Sequence, residues 1–419
     1  MLGLRHLPLK YRLPLIHGGL GVLARLKSGG WTKADDVTLR RGDFIVSGFF
    51  TETTGIAQGG RLSAQALKAA GYDIAEHDLR PAFKKLFSKN LFRGVPLPGR
   101  GGVWYIHANA PEVLVALLVH DPKSWADRYR IAYWAWETPK VPADWVFAAD
   151  YLHEIWVPSL FVRNALAATF NAALRADLIS RLRVMPHPVP VPPPVRHDSA
   201  RQRFDLSDTV CEVLSLFDTK SSAARKNPWG VLDAWRQAFP QSSDTARLTL
   251  KVSDLSGDPA TAQRLLAVTA DRYDIRLMSE RLSERDMEAF TGAFDVLISL
   301  HRSEGFGLSL AEAMAAGVAV IATGWSGNTD FMTAENARLV SSTLIPVDDP
   351  DGGYAHLRRD PAQVWADPNL AEAASDIRDL TSSPELRQRF AHNAVQAIRA
   401  LHAPWQREAL VELPFNAGL

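Results

Sequence analysis

Two glutamates, Glu304 and Glu312, are the residues of this chain best placed for chemistry, because both lie where a strand gives way to a helix. The apolar run over residues 294–300 is typical of a buried parallel strand. The Ala-rich sequence after it predicts a helix, with Glu304 just before it and Glu312 about one turn inside it. Both carboxylates can therefore point at one crevice and accept hydrogen bonds from ligand hydroxyls.

The backbone between the two glutamates favours an anion. Gly305 and Gly307 flank Phe306, and glycine lets a ligand approach the main chain closely. The first helical amides, at Gly307 and Leu308, have no internal acceptor and lie at the positive end of the helix dipole. Each feature alone also fits a plainer explanation, a tight turn or a glutamate that complements the dipole. Together, amides for a pyrophosphate and carboxylates for hydroxyls predict a sugar-nucleotide site.

Composition excludes several other classes of protein. The 419 residues suffice for two or three domains, and 47% hydrophobic with 22% charged residues is ordinary for a globular chain. The net charge of +1 gives no argument for a nucleic-acid partner. Cys211 is the one cysteine, so no disulfide can form within the chain and a reducing compartment fits. No apolar stretch approaches the ~20 residues of a membrane-spanning helix.

Neither a metal nor a cofactor is expected. No Cys/His cluster or Walker loop is present. The acidic run over residues 348–351 could bind a metal, but its Pro and Gly neighbours favour a solvated turn.

The first 41 residues are basic, with eight Lys or Arg against two Asp. Such an arm could rest on an anionic membrane surface. A loose N-terminal tail is the interpretation that we favour from sequence.

Strand and helix patterns alternate in two successive halves, as in doubly wound α/β folds. A proline cluster over residues 186–194 predicts a stiff boundary between the halves. A glycine loop and a helix over residues 62–70 follow the first strand, and another strand begins at Tyr72. That first strand is predicted at 42–50, and the later strands of the first half at 103–106, 130–134, 154–159 and 184–189. In the second half, strands are predicted at 212–217, 247–252, 274–278, 296–300 and 318–322.

The Glu304–Glu312 spacing, with Gly305-Phe306-Gly307 between, resembles the Glu-x7-Glu signature of retaining glycosyltransferases of family 4. Four further segments resemble a bacterial polysaccharide-assembly branch of that family: residues 55–61, 133–137, 154–159, and 217–218 with 225–228. The resemblance covers roughly residues 43 to 400. It implies an α/β protein of GT-B fold, in which two Rossmann-like domains face each other across a crevice.

The resemblance also implies a domain layout. We expect a basic arm over residues 1–41, an acceptor domain over 42–190, a linker over 191–209, a donor nucleotide-sugar domain over 210–400, and a tail over 401–419 that could pack back on the N-terminal domain.

Roles for the donor side follow from the resemblance. Arg225, Lys226 and the amides at Gly307 and Leu308 would hold the donor phosphates. Glu312 would accept hydrogen bonds from the ribose, and Glu304 from the transferred sugar.

Two departures from the family pattern leave roles open. Relatives have an arginine near the place of Leu216, so Arg225 or Lys251 could replace it, or Lys226 could act alone. Glu137 stands near a place where many relatives have a histidine.

The N-terminal half would contribute Gly55 and Arg61, in a loop for phosphate or acceptor, and Glu137 as a catalytic candidate. Trp134 and Trp136 could stack on sugar rings or pack in the core. His301, Gly327 and Asn328 are weaker candidates near the donor.

The expected activity is metal-independent transfer of a hexose, with mannose as one candidate, in polysaccharide biosynthesis. The donor would be a nucleotide diphosphate sugar, and the acceptor a saccharide or lipid-linked saccharide. A sugar-nucleotide epimerase and a non-catalytic sugar-nucleotide-binding protein are the alternatives. We expect a cytoplasmic protein, with peripheral contact to the inner membrane through the arm as a further hypothesis.

Overall fold

The computed structural model describes residues 9–86, 94–193, 197–218, 222–253, 255, 259–350 and 352–419. The chain divides into two compact units, one formed by Met1–Pro188 with His402–Leu419 and the other by Val189–Leu401.

The first unit is a parallel α/β unit. Its described strands are β1 (Phe44–Gly48), β2 (Ile74–Asp78), β3 (Val103–Ile106), β4 (Tyr129–Tyr133), β5 (Glu154–Val157) and β6 (Leu182–Val184). Its described helices before residue 189 are α1 (Leu9–Lys27), α2 (Gly55–Ala69), α3 (Arg80–Leu86), α4 (Ala110–Val119), α5 (Trp145–Ala149) and α6 (Leu160–Ala172). The strands form one sheet in the order β2-β1-β3-β4-β5-β6, with every pairing parallel.

Both faces of this sheet are buried, because successive side chains of its apolar strands point to opposite sides. Trp104 and Ile155 belong to one core layer, whereas Tyr105 and Trp156 belong to the other. All four side chains are fully buried. The sheet therefore gives a rigid base from which the loops after its strands extend.

The second unit repeats the parallel architecture. Its described strands are β7 (Cys211–Asp218), β8 (Ala246–Ser253), β9 (Ile275–Met278), β10 (Val296–Ser299), β11 (Ala319–Thr323), β12 (Arg338–Val340), β13 (Ser342–Pro346) and β14 (Val364–Pro368). Its described helices are α7 (His197–Arg203), α8 (Ala223–Lys226), α9 (Pro228–Ala238), α10 (Pro259–Thr269), α11 (Glu284–Gly292), α12 (Leu308–Ala315), α13 (Leu370–Ser382) and α14 (Pro384–Ala400). Six strands pair in parallel in the order β12-β11-β10-β7-β8-β9, and β13 pairs antiparallel with β14.

Two segments of the second unit differ from the sequence-based expectation. Residues 197–203, expected in a linker, form α7, and Arg201 of this helix pairs with Asp295 at 2.5 Å (Nη2–Oδ2). The antiparallel hairpin of β13 and β14 was not predicted, because β13 has no buried residue and β14, although three of its five residues are buried, has no long apolar run.

The tail packs on the first unit through its own helix, α15 (Arg407–Val411). Trp405 donates its Nε1–H to the Pro186 carbonyl at 2.6 Å, and Tyr72 donates its hydroxyl to Asn416 Oδ1 at 2.9 Å. Phe415 is fully buried against Tyr72. The last residues of the chain thus complete one core layer of the first unit.

Over residues 9–41, the described part of the basic arm, the chain is folded and packs on the first unit. Residues 9–27 form α1, and its Leu20 packs into a small core with Val115 and Val119 of α4. Just beyond the helix, Thr32 accepts a hydrogen bond from Arg130 Nη2 at 3.0 Å. The favoured reading of a loose tail is therefore wrong over these residues, because one face of the segment is apolar enough to bury.

Among the described residues, no helix is both long and apolar enough to cross a membrane.

Candidate functional site

Two glycines shape the loop from β10 to α12. Gly307 ends this loop, and Gly327 lies in the neighbouring loop after β11. Gly307 has φ +93° and precedes α12. A Cβ on Gly307 would lie 2.9 Å from Leu310 Cδ1, and a Cβ on Gly327 would lie 2.1 Å from the Gly305 carbonyl oxygen. Gly307 thus needs a left-handed backbone, and Gly327 lets the loop after β11 pack directly on this one.

That second loop also fixes the backbone of Glu304. The Glu304 N–H donates to Ser326 Oγ at 2.9 Å, and its carbonyl accepts from the Gly327 N–H at 2.9 Å. Phe306 is buried and packs on Phe331 with ring centroids 4.9 Å apart. These contacts give the Glu304 side chain a defined starting point.

Glu304 lies in a compact ionic cluster with Arg225 and Lys226. Lys226 Nζ is 2.5 Å from Glu304 Oε1, and Arg225 Nη1 is 3.2 Å from the same oxygen. Arg225 Nη1 also donates to the Ser303 carbonyl at 2.8 Å. The exposed fractions of these side chains are 5% for Arg225, 16% for Lys226 and 12% for Glu304. Residues 78 positions apart in the chain are therefore neighbours in the fold.

The cluster is electropositive. Burial alone would raise the pKa of Glu304, but Lys226 and Arg225 lower it to about 2. Two cations and one carboxylate leave a net charge of +1 in a region largely screened from water. Such a cluster suits a polyanionic ligand such as a diphosphate.

The short segment that carries the cations is anchored at both ends. Ser222 Oγ accepts from the Arg225 N–H at 3.2 Å at the start of α8. Asn227, with φ +52°, donates its Nδ2–H to the Leu300 carbonyl at 2.9 Å and caps α9 through Gly230 N–H at 3.1 Å. The asparagine thus ties Lys226 to the end of β10, where Glu304 follows.

The N-terminus of α12 presents further positive potential. The first described backbone bonds of the helix run from the Leu310 and Ala311 amides to the Gly307 carbonyl, both at 3.0 Å. The Leu308 and Ser309 amides precede them and have no acceptor within the helix, so they can serve an anion. Leu308, the first residue of α12, and Glu312, in its second turn, are each partly exposed.

The side chains of His301 and Asn328 are hydrogen-bonded to each other. His301 Nε2 lies 3.1 Å from Asn328 Oδ1, and Asn328 Nδ2 donates to the Thr323 carbonyl at 3.0 Å. The imidazole must therefore carry its proton on Nε2, and its Nδ1 accepts from Ser299 Oγ at 3.2 Å. Burial lowers the pKa of His301, so this ring adds no charge at neutral pH. Its visible role is to join the two loops around Glu304.

Lys251 lies opposite Leu216, the place of the missing arginine, in the register of β7 and β8. It is buried on β8, which is separated from β10 by β7. Burial lowers the pKa of Lys251, and nearby Glu280 opposes that effect. Of the candidates to replace the missing arginine, Arg225 is the one that the fold brings to Glu304.

Of the acidic run over residues 348–351, Asp348 and Asp349 have partners in the turn that follows, and Asp351 lies outside the described residues. Asp349 Oδ2 accepts from the Tyr354 N–H at 3.1 Å, and Asp348 pairs with Arg358 at 2.8 Å (Oδ1–Nη2). Across the part of the chain that the structure describes, no group of three or more His, Cys, Asp or Glu is placed to hold a metal ion.

In the first unit, Gly55 and Arg61 lie in α2 rather than in the loop expected from the sequence, and Gly55 is the first residue of that helix. A Cβ on Gly55 would meet nothing within 4 Å, so the N-terminus of α2 is open. Arg61 Nη1 donates to the carbonyls of Phe50 at 2.9 Å and Glu52 at 2.8 Å. Arg61 therefore holds the loop between β1 and α2.

Glu137 and the tryptophans lie just beyond β4. Glu137 is partly exposed there, at the carboxyl edge where open α/β sheets bind ligands. Trp134 is fully buried, whereas Trp136 is half-buried and donates its Nε1–H to Thr138 Oγ1 at 2.7 Å. Both rings pack edge-on against Trp145. Trp134 is a core residue.

Sequence reasoning missed a buried histidine cluster at the same edge. His107 follows β3, stacks on Tyr133 at a centroid distance of 4.3 Å, and has a buried Nε2 with no hydrogen-bond partner among the described residues. Burial lowers the pKa of His107, and that of His187 to about 3. A Cβ on Gly59 would lie 2.5 Å from His187 Cε1 and 2.8 Å from His107 Nε2.

Gly59 is therefore required by imidazole packing rather than by a ligand. The signal that could have found His107 is its position directly after the apolar run of β3, at a carboxyl edge.

Known structures with this architecture are GT-B glycosyltransferases, which defines the fold class of the chain. A glycosyltransferase from Rickettsia africae ESF-5 aligns with a TM-score of 0.60 and 13% identity, over 88% of this chain and 96% of that one. HepE of Anabaena, solved with UDP and glucose, aligns with a TM-score of 0.58 and 13% identity, over 88% and 98%. WaaG, a glycosyltransferase involved in lipopolysaccharide biosynthesis, aligns with a TM-score of 0.55 and 13% identity, over 89% and 99%.

The second unit carries a sequence signature of its own. Residues 223–359 match the family model of glycosyl transferases group 1. The matched segment contains Arg225, Lys226, Glu304 and Glu312. No curated protein matches the chain.

Proposed function

We propose that the protein transfers a sugar from a nucleotide diphosphate donor to a saccharide acceptor, with retention of anomeric configuration. The observation that carries this proposal is the electropositive cluster of Arg225 and Lys226 on Glu304, beside the N-terminus of α12. It lies within the segment matched by the group 1 model.

Different residues of this cluster and of α12 would contact different parts of the donor. Lys226, Arg225 and the Leu308 amide would contact the diphosphate, because cations and free amides both favour phosphate oxygens. Glu312 would accept hydrogen bonds from the ribose, and Glu304 from the transferred sugar.

Donor binding would change the partners of Glu304. Its Oε1 is paired with Lys226 at 2.5 Å in this structure. A diphosphate carries more charge than one carboxylate and would compete for the same ammonium group. The released Glu304 oxygen would then accept a hydrogen bond from a sugar hydroxyl.

In the reaction, the bond between the anomeric carbon and the diphosphate oxygen breaks while the bond to the acceptor oxygen forms. The acceptor proton passes to the departing diphosphate. Negative charge grows on that leaving group, where the two cations and the helix amides are already oriented, so they stabilise the transition state more than the ground state. No strong protein nucleophile is needed, and we propose no metal ion.

Glu137, Gly55 and Arg61 belong to the acceptor side in this proposal. Glu137 is partly exposed at the carboxyl edge of the first sheet, and the open N-terminus of α2 begins at Gly55. Glu137 would contact the acceptor, and Arg61 would keep the loop before α2 in place.

The particular sugar is proposed from the relatives. HepE was solved with UDP and glucose, and WaaG is involved in lipopolysaccharide biosynthesis. We therefore propose a hexose donor, with UDP-glucose tried first and a mannose donor next. A saccharide or lipid-linked saccharide is the proposed acceptor, in cytoplasmic polysaccharide biosynthesis.

The test is a thermal-shift screen of nucleotide sugars, followed by measurement of nucleoside diphosphate released with and without saccharide acceptors. Lys226→Ala should lose both binding and release. Arg358→Ala, which removes a half-exposed cation of the same unit, is the matched control and should retain both.

Two results would contradict transfer. Donor conversion that needs no acceptor would indicate the epimerase, and tight donor binding without release across the acceptor panel would indicate a binding protein.

A further inference from the structure

Helix α1 carries apolar side chains on two opposite faces. The inner face packs on the first unit: Leu20 contacts the cluster of Val115 and Val119, and Ala24 is fully buried. This burial fixes the rotation of the helix, and hence which residues point outward.

The outer face is a stripe of large apolar side chains. Tyr11, Leu15, Val22 and Leu26 are 57%, 58%, 57% and 77% exposed. At 100° per residue these positions fall within an arc of about 60°, along about 22 Å of helix. Four of the eleven large hydrophobic side chains exposed in the described part of the chain thus lie on one helix. Scattered apolar residues are normal on a surface, whereas large apolar side chains aligned on one outer face of a helix mark an interaction site.

The charged residues of the helix and of the segments that flank it in sequence have one sign. Residues 1–34 contain six Lys or Arg and no Asp or Glu. Arg12 and Arg25 border the stripe on either side by helical angle, and Lys27 follows it. Arg25 is exposed, and its guanidinium carbon lies 5.0 Å from the centre of the Phe147 ring.

We infer that the outer face of α1 docks on an anionic lipid bilayer. The stripe of Tyr11, Leu15, Val22 and Leu26 would insert at the boundary of headgroups and acyl chains, and the flanking basic side chains would contact lipid phosphates. This inference does not depend on the proposed reaction.

The charge pattern favours a bilayer over a second copy of the chain. Two copies joined through this face would bring their basic side chains together, and neither helix has a carboxylate to pair with them. An anionic membrane complements that charge and covers the apolar stripe in one contact. Each Lys or Arg near such a surface strengthens binding by about fivefold, an effect that salt screens.

The experiment is co-sedimentation of the full chain with vesicles of phosphatidylcholine alone and with added phosphatidylglycerol, at low and high salt. Binding should require phosphatidylglycerol and decrease at high salt. The double variant Leu15→Ser, Val22→Ser should reduce the partition coefficient by about tenfold or more. Leu266→Ser with Leu344→Ser, which removes equally exposed apolar side chains from the second unit, is the matched control and should bind as the wild type does.

Unfolding midpoints measured without vesicles show whether the variants remain folded, and both should match the wild type because the replaced side chains are exposed. The inference is overturned if the wild type ignores anionic vesicles at low salt, or if both double variants bind equally. It is also overturned if the wild type forms a dimer that the Leu15/Val22 variant abolishes, since a second copy then covers the face.

Discussion

Replacing Glu304 by glutamine separates the electrostatics of the ionic cluster from its role in binding. The pKa of Glu304 falls from 4.5 to about 2 in the folded protein. At 1.36 kcal/mol per pH unit, the ionised carboxylate contributes about 3 kcal/mol of stability at neutral pH. Because the folded-state pKa is the lower one, this stability is present above about pH 4.5 and is lost as the pH falls towards 2.

Glu304→Gln should therefore lower the free energy of unfolding by about 3 kcal/mol at pH 7, since Arg225 and Lys226 stay buried without a counter-ion. The difference from the wild type should shrink as the pH falls below about 4.5. Denaturant unfolding at several pH values measures both effects. The control is Asp367→Asn, which removes an ion pair with Arg302 whose carboxylate is 49% exposed, and should cost under about 1 kcal/mol.

Nucleoside diphosphate gives the second readout. If the phosphates of the ligand pair with Lys226 and Arg225, they supply the counter-ion that the variant lacks. In the variant they also have no carboxylate to displace. The ligand-induced rise in Tm should thus be larger for Glu304→Gln than for the wild type, while sugar transfer falls sharply. A smaller rise in Tm would refute the competition, and unchanged stability without ligand would refute the electrostatic reasoning.

Three further outcomes are expected. Glu312→Ala should weaken donor binding by about 1–3 kcal/mol in calorimetry, because a charge-assisted hydrogen bond is lost, and unchanged affinity in a folded variant would remove the ribose role. Gly59→Ala should destabilise the protein by about 1–3 kcal/mol in thermal unfolding, because its methyl group meets His187 and His107, whereas Gly55→Ala should be close to neutral; equal effects would contradict the packing. Transfer should survive EDTA, and loss on chelation with rescue by manganese or magnesium would contradict the metal-free proposal.

Local pattern predicted most of the regular structure of this protein. The predicted strand at 103–106 coincides with β3, and that at 296–300 differs from β10 by one residue at its end. Parallel strands that are buried on both faces have continuous apolar sequences. Each such strand can therefore be predicted from its own residues, without knowledge of its neighbours in the sheet. Strands β13 and β14 lack such long runs, and sequence reasoning did not find them.

The sequence alone predicted a class of chemistry. The spacing of Glu304 and Glu312 around two glycines and a helix start is a local feature, set by a single turn from strand to helix, and it indicated a sugar-nucleotide site. Arg225 and Lys226 became candidates through the resemblance of residues 217–218 and 225–228 to the basic loop of the family.

Only the tertiary structure decided which of these residues meet. Lys226 and Glu304 are 78 positions apart, and their contact depends on β7 and β10 lying side by side in the sheet. The histidine cluster around Gly59 and the outward face of α1 are likewise set by packing. Local sequence specifies which conformation a segment adopts, whereas the choice among long-range neighbours depends on how whole elements bury their apolar faces.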